Sequence, residues 1–260
     1  MTLSLQDIAE KLHTAQANAT ETSQLEEEIS IDSAYEVQRL ILDRRLAQGE
    51  TYIGPKLGFT SKAKMEQMGV HNIIVGFLTD AMDHDPSEEL SLKDLIHPRI
   101  EPELVFELGS AVEPVADESV EELAERIRSA VRKVAVGMEV IDSRYKDFKF
   151  NLADVVSDNT SAARFVVGQY QDFPRELAGL KVEFLINGEV VDSADTNAIL
   201  GDPNEAFLEL AKMIQKYGFH LPAGATILGG SMTAAQWLEA GQVIEARVET
   251  FEPLTLKVAG

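Results

Sequence analysis

The order in which two hydrophobic patterns follow one another is the feature that most constrains the fold of this chain. Through residues 1–50, apolar residues recur with the spacing of one face of an amphipathic helix. From about residue 95, the pattern changes to short runs rich in Val, Ile and Phe, which are typical of β-strands. Helices followed by a strand-rich body, rather than strict alternation of strands and helices, predict an α+β fold.

Local signals place the individual elements. Ser33 and Glu36 stand in capping-box register, and Asn187-Gly188 between two apolar runs is a strong β-hairpin signal. The predicted helices begin near Leu5, Ser33, Ser61, Ser119 and Asp202, and the last two interrupt the strand-rich body. The predicted strands are 103–108, 134–141, 163–167, 180–186, 242–249 and 254–258. We therefore expect a helical N-terminal region over residues 1–50 and a strand-rich catalytic domain over residues 51–260.

Composition excludes several classes of function. The chain has 44 Asp and Glu against 23 Lys and Arg, and this net charge of −21 argues against nucleic-acid and anionic-membrane partners. The absence of Cys excludes disulfides, Cys-ligated metals and Cys nucleophiles. The first sixteen residues lack the apolar stretch of a signal peptide, and no run reaches the ~18 apolar residues of a membrane span. We expect a cytoplasmic protein.

Carboxylates are the functional groups that remain as candidates for a site. Dinucleotide, P-loop, H-E-x-x-H and G-x-S-x-G motifs are all absent. Glu101 and Glu103 are two residues apart at the start of a strand, so their side chains share one face. Glu139 lies inside a second apolar strand, where a lone charge is costly to bury unless it is paired or metal-bound. Three such carboxylates suit Mg²⁺ or Mn²⁺. The alternative is that all three are surface glutamates.

Three further features have both a functional and a structural interpretation. Lys56, in GPKLGFTSK, is by itself most simply an exposed lysine. The polar cluster 157–161 (SDNTS) is most simply a loop closed by side-chain hydrogen bonds. Arg144 can bind a substrate carboxylate through two parallel hydrogen bonds, but a salt bridge with one of the many acids explains it equally well.

Several segments together resemble the fumarylacetoacetate hydrolase superfamily, in its branch of meta-cleavage-pathway hydratases and decarboxylases. The matching segments span most of the chain in the expected order: KLGFTSKAKMEQMGV (56–70), GFLTDAM (76–82), HPRIEPELVFEL (97–108), MEVIDSRYKDFKF (138–150), VVSDNTSAARFVVG (155–168) and ILGGSMT (227–233). The segments after Lys56 and around Arg144 resemble the decarboxylases more closely, whereas Gly229-Gly230-Ser231 resembles the hydratases.

The resemblance implies a mixed β-fold with a helical N-terminal part and assigns roles to residues. Glu101, Glu103 and Glu139 become the ligands of Mg²⁺ or Mn²⁺. The implied active-site groups are Lys56, Asp80 and Ser161, with Arg144 left as a substrate-binding candidate. Pro102, between the two glutamates, stands where the family usually has a small residue. Because proline removes a backbone donor without changing side-chain faces, the metal assignment is unaffected.

The implied reaction is the metal-dependent decarboxylation of 2-oxohex-3-enedioate in the catabolism of aromatic compounds. Two alternatives remain open: a hydratase acting on 2-hydroxypenta-2,4-dienoate, and a non-catalytic partner of such an enzyme. The resemblance also implies a homo-oligomer, with a possible complex with the enzyme of the neighbouring pathway step. An intact set of metal-ligating glutamates argues against the non-catalytic alternative, because a scaffold needs no metal.

Overall fold

The structure is a computed structural model that describes residues 3–61, 65, 73–174 and 176–260. Its helices are α1 Leu5–Ala17, α2 Ile31–Ala47, α3 Val120–Ala130, α4 Leu152–Ser157 and α5 Glu205–Tyr217. Its strands are β1 Tyr52–Gly58, β2 Ile74–Thr79, β3 Pro98–Leu108, β4 Val131–Asp142, β5 Ala162–Val167, β6 Gln171–Asp172, β7 Lys181–Ile186, β8 Glu189–Asp195, β9 Thr226–Ser231, β10 Gln236–Trp237, β11 Val243–Val248 and β12 Leu254–Lys257. The helix predicted after Ser61 lies almost wholly outside the described residues.

The predicted N-terminal helices are present. Ser4 and Asp7 form a capping box at the start of α1, each side chain bonding the other's backbone N–H. Helix α2 begins after Ser30, three residues before the predicted Ser33, because the Ser30 hydroxyl accepts from the Ser33 N–H. The two helices pack on β2 and on each other through Ile8, Leu12, Val37, Ile41 and Phe77. They occupy the predicted N-terminal region, and the domain division at residue 50 stays a prediction.

The larger sheet positions the site. In the described residues its strand order is β2-β1-β9-β3-β4-β5, with β10 paired to β3 and β6 paired to β4. Strands β3 and β4 form a long antiparallel pair, and β1 runs parallel to β9. Strands β1 and β2 were not among the predicted strands. The predicted strands 103–108 and 134–141 extend further, as β3 and β4.

The smaller sheet has the order β12-β11-β7-β8 and contains the predicted hairpin. Asn187 and Gly188 form the turn between β7 and β8, and both have positive φ, as the favoured two-residue hairpin turns require. The hairpin prediction is therefore confirmed.

Helices α3 and α5 pack over the main hydrophobic core. Ser119 caps α3 in the predicted capping box with Glu122, and Gly218 ends α5 in the left-handed conformation. Phe207 of α5 packs edge-to-face on Phe106 of β3, with ring centroids 4.9 Å apart. The described residues form the predicted α+β fold with a helical N-terminal part. No helix among them is both long and apolar enough to span a membrane.

Candidate metal centre and active site

Three glutamates meet on neighbouring strands. Glu101 of β3 is directly opposite Glu139 of β4, and Glu103 follows two residues along the same face of β3. The side chains are buried, and each offers a carboxylate oxygen that lies within 4.8 Å of the other two. Like charges directly opposite one another on neighbouring strands repel. The predicted convergence of the three glutamates is therefore observed, and it requires a compensating positive charge.

Glu103 is the most enclosed of the three. Its Oε2 accepts a hydrogen bond of 2.9 Å from the Gly230 N–H, whereas Oε1 is buried without a hydrogen-bond partner among the described residues. Burial, followed by the charges of Glu139 and Glu101, raises the pKa of Glu103 well above its ordinary value. An all-oxygen donor set of three carboxylates fits Mg²⁺ or Mn²⁺. The alternative that these are surface glutamates is wrong.

Lys56 supplies one positive charge to this group. Strand β1 buries its side chain, with Nζ 2.9 Å from Glu139 Oε2. The same Nζ donates to the Thr160 carbonyl oxygen over 3.2 Å. The interpretation of Lys56 as an exposed lysine is therefore wrong. One ammonium cannot neutralise three carboxylates, so the arrangement still favours a bound divalent cation.

A cavity of about 620 Å³ opens beside the glutamates. Lys56, Glu101 and Ser161 line it together with the apolar side chains of Ile74, Ile141 and Val155. The cavity thus combines charged groups with an apolar wall, as ligand sites commonly do. Of the seven predicted site residues, the structure brings five together here: Lys56, Ser161 and the three glutamates.

The polar cluster 157–161 contributes Thr160 and Ser161 to the lining of the cavity. Asn159, Thr160 and Ser161 all have positive φ, a strained conformation for side chains other than glycine. The Asn159 amide holds the turn by accepting from the Phe77 N–H and donating to the Phe77 carbonyl, over 2.8 and 3.0 Å. The Ser161 hydroxyl is left buried without a hydrogen-bond partner among the described residues. The cluster is therefore a loop that presents a polar group to the cavity.

Arg144 does not line the cavity and instead stabilises this loop. Its guanidinium is buried in an ion pair with Asp158 and also donates to the backbone carbonyls of Asp142, Asp158 and Ala162. Desolvation raises the pKa of Asp158 to about 6, although the adjacent guanidinium opposes that shift. The donors of Arg144 are engaged by the protein itself. The suggestion that Arg144 binds a substrate carboxylate is corrected accordingly.

Asp80 is also away from the cavity. Its side chain is exposed in the turn after β2, where it accepts from the backbone N–H groups of Thr51 and Ala81 over 2.8 and 2.9 Å. The Thr51 hydrogen bond lowers the pKa of Asp80, which favours the ionised form. The structure therefore places Asp80 apart from Lys56 and Ser161, the active-site groups with which the resemblance placed it.

Sequence reasoning missed Arg99, which lines the cavity two residues before Glu101 on β3. Its position had a signal, because period-two geometry places it on the face of Glu101 and Glu103. Phe148, another cavity residue, had no comparable signal. It follows Asp147 in a turn where both residues have positive φ.

The described residues have the fold of the fumarylacetoacetate hydrolase superfamily, with a buried group of three carboxylates that could hold a metal ion. A fumarylacetoacetate hydrolase family protein from Yersinia pestis CO92 has a TM-score of 0.59 at 12% identity, covering 80% of this chain and 93% of that one, which shows the fold. The structure of 4-oxalocrotonate decarboxylase from Pseudomonas putida G7, complexed with magnesium and adipate, has a TM-score of 0.91 at 32% identity and covers 99% of both chains. The chain belongs to the family of 4-oxalocrotonate decarboxylases and related 2-hydroxydienoate hydratases.

Curated relatives carry this assignment. A 4-oxalocrotonate decarboxylase of a Pseudomonas species is 38% identical over 255 residues, 97% of each chain. A 2-hydroxyhexa-2,4-dienoate hydratase of Comamonas testosteroni is 33% identical and covers 85% of this chain and 84% of the relative. The family models compared with the chain give no match. The predicted resemblance is confirmed.

Proposed function

We propose that this protein is a divalent-metal-dependent carboxy-lyase that converts 2-oxohex-3-enedioate to 2-hydroxypenta-2,4-dienoate and CO₂. The observation that carries the proposal is the buried group of Glu101, Glu103, Glu139 and Lys56 beside the cavity. It occurs in a chain that is 38% identical over nearly its whole length to a 4-oxalocrotonate decarboxylase.

The reaction requires stabilisation of the negative charge that develops on the substrate. When the bond between C5 and C6 of the substrate breaks, CO₂ leaves and its electron pair moves through the C3–C4 double bond to the 2-oxo oxygen. A divalent cation held by Glu101, Glu103 and Glu139 supplies Lewis-acid stabilisation of that developing charge. No protein nucleophile takes part, in agreement with the absence of Cys.

Lys56 is proposed to deliver the proton that completes the product. Its ammonium is held at the site by Glu139 and by the Thr160 carbonyl, so it is already oriented before substrate binds. An oriented ammonium stabilises an enolate oxygen more than a neutral ketone, because the charge builds only as the reaction proceeds. Donation of one proton from Nζ to the enolate oxygen gives the neutral enol.

Ser161 and the apolar wall are proposed to hold the substrate. The Ser161 hydroxyl has no hydrogen-bond partner among the described residues and can donate to the carboxylate next to the 2-oxo group. Ile74, Ile141 and Val155 surround the carbon chain with apolar surface. Exclusion of water there favours loss of neutral CO₂ over hydration of the double bond.

Hydration of 2-hydroxypenta-2,4-dienoate is the second candidate function, because hydratases are among the relatives at 30% identity or more. The same groups serve it, with water adding to the alkene. The test is incubation with Mg²⁺ and each substrate in turn, following CO₂ release and product formation by mass spectrometry. Stoichiometric CO₂ from 2-oxohex-3-enedioate, abolished by EDTA, is expected. Water addition without CO₂ release identifies a hydratase, and inertness towards both substrates identifies a non-catalytic partner.

The proposal includes three expectations about the cell. The enzyme works in the cytoplasm, it assembles as a homo-oligomer, and it associates with the enzyme of the neighbouring pathway step. Size-exclusion chromatography with light scattering measures the assembly, and co-elution with that enzyme measures the association.

A further inference from the structure

We infer that Arg99 binds the distal carboxylate of the substrate and thereby selects dicarboxylic 2-oxo acids over monocarboxylic ones. The inference rests on the proposed function, in which the 2-oxo acid end of the substrate lies at the glutamates. It extends that function by naming the group that recognises the opposite end of the molecule.

The position of Arg99 on β3 supports this role. Arg99 and Glu101 stand two positions apart on the same face of the strand, and both line the cavity. Two residues of a strand advance by about 6.6 Å. A six-carbon chain spans such a distance, so one end of the substrate can lie at the glutamates while the other end reaches the guanidinium.

The surroundings of Arg99 hold its guanidinium in place. Its Cζ lies 4.3 Å from the ring centroid of Phe148 and 4.0 Å from that of Trp237, and these two rings are nearly perpendicular with centroids 6.2 Å apart. Trp237 belongs to β10 and is the strand partner of Arg99, so the backbone holds that contact in register. Contacts with two rings at right angles hold the guanidinium in position without an oxygen of the described residues on its N–H groups, which leaves those groups available to a carboxylate.

Arg99 also has unused hydrogen-bonding capacity. Its Nε is buried without a hydrogen-bond partner among the described residues, and its guanidinium is in none of the ion pairs described for them. Glu101 is the acid that attracts the Arg99 guanidinium electrostatically, and a cation bound to the glutamates would neutralise the charge of Glu101. In a chain with 44 acidic residues, a cavity-lining arginine without a direct ion pair among the described residues fits a ligand that brings a carboxylate.

The inference has a kinetic consequence. The carboxylate held by Arg99 is the group that departs as neutral CO₂, so its charge decreases towards the transition state. Arg99 therefore contributes more to binding the substrate than to lowering the barrier from the bound state. Loss of Arg99 is expected to raise KM strongly while kcat stays the same or rises.

The test uses two saturated probes that share the 2-oxo acid end of the substrate. Both lack its double bond, so neither can be decarboxylated by the proposed route. 2-Oxohexanedioate has the distal carboxylate, and 2-oxohexanoate has a methyl group in its place. Calorimetric titration in saturating Mg²⁺ compares the wild type with Arg99→Met, and with Arg247→Met as a surface control that removes the same charge from the smaller sheet. Arg99→Met should weaken 2-oxohexanedioate roughly 10- to 100-fold, the scale of a charge-assisted hydrogen bond. Binding of 2-oxohexanoate should change less than about threefold by the same scale.

Several outcomes overturn the inference without affecting the proposed function. One is an unchanged preference for the dicarboxylate in Arg99→Met. Another is loss of that preference in Lys149→Met instead, since Lys149 is a further cation that lines the cavity beside Lys56 and Arg99. Mg²⁺ titration in the absence of probes separates the two hypotheses, because a wild type that binds no Mg²⁺ contradicts the proposed function itself. If Arg99→Met does not fold by circular dichroism, Arg99→Gln is measured with the same expectations.

Discussion

The Nζ of Lys56 lies 2.9 Å from Oε2 of Glu139, and the two side chains are 3% and 1% exposed. The contact joins β1 to β4, which are separated by β9 and β3 in the order of the sheet. It also joins the proposed proton donor to a proposed metal ligand. Because the two groups share one contact, replacement of either should alter both metal binding and proton delivery.

Lys56→Ala should lower kcat by roughly 10²-fold or more, the scale of a lost acid–base group. The sequence alone suggests an unchanged melting temperature, since Lys56 resembles an exposed lysine there. The structure predicts otherwise, because removal of one partner from a buried ion pair costs about 3–5 kcal/mol. We expect a clear loss of thermal stability in EDTA and partial recovery in Mg²⁺, measured by calorimetry. Lys212→Ala, at an exposed site on α5, is the control.

Glu103→Gln should weaken Mg²⁺ binding by roughly 100-fold or more, because the amide replaces a charged oxygen ligand. Loss of a group that only supports a metal ligand already lowers metal affinity by roughly 10- to 100-fold. In EDTA the same variant should be more stable than the wild type, since it removes one of three mutually repelling buried charges. Calorimetric titration and thermal unfolding measure the two effects. Glu107→Gln is the matched control, as Glu107 lies on the same face of β3 but pairs with Arg132 at the surface. Wild-type Mg²⁺ affinity in Glu103→Gln would exclude Glu103 as a ligand.

The raised pKa of Glu103 also predicts how stability depends on pH. Its carboxyl group has a higher pKa in the folded chain than the ordinary value of 4.5, so the folded state binds its proton more tightly than the unfolded state does. Stability in EDTA should therefore fall as the pH rises from about 4.5 through the folded-state pKa. The difference in unfolding free energy between wild type and Glu103→Gln, followed against pH, isolates this contribution. A difference that does not vary with pH contradicts the prediction.

The elements with local signals could be predicted from the sequence. Ser119 with Glu122, Gly218, and Asn187-Gly188 act through contacts within a few residues, so each appears in the structure where it was expected. Strand β1 was missed because its segment contains Gly54 and Pro55, which usually interrupt strands. The fold accommodates them beside an irregularity in the β1–β2 register.

The candidate site, like the fold, could be predicted from the sequence only in part. Strand periodicity placed Glu101 and Glu103 on one face, but the register that brings Glu139 opposite Glu101 depends on pairing between distant segments. Arg144 and Asp80 carried the same local polar signals as the residues that lie at the cavity. Their partners, Asp158 for one and the Thr51 backbone for the other, were apparent only in the folded chain. The sequence shows which residue types are present. The burial of a side chain and its hydrogen-bond or ion-pair partners depend on the tertiary structure, so they could not be predicted.

Replacement of Arg144 tests its reassignment from the substrate to the loop. Arg144→Met leaves the Asp158 carboxylate buried without its cation, and breaking such a pair costs about 3–5 kcal/mol. The loop that presents Ser161 to the cavity should loosen with it, so kcat should fall together with stability. If Arg144 instead bound substrate, Arg144→Met would fold normally and show mainly a raised KM.

The double variant Arg144→Met/Asp158→Asn separates these possibilities further. Removal of both charges abolishes the cost of an unpaired buried carboxylate, so the double variant should regain part of the stability lost in Arg144→Met. The backbone carbonyls of Asp142 and Ala162 still lose the donors that Arg144 supplied, so the recovery should be incomplete. Because desolvation raises the pKa of Asp158 to about 6 even beside the guanidinium, that carboxyl group should be more readily protonated once Arg144 is absent. Arg144→Met should then be closest to wild-type stability at pH 5 and furthest from it at pH 8. Thermal unfolding of the three proteins across that range measures both effects, and equal stability of the single and double variants at pH 8 contradicts the assignment.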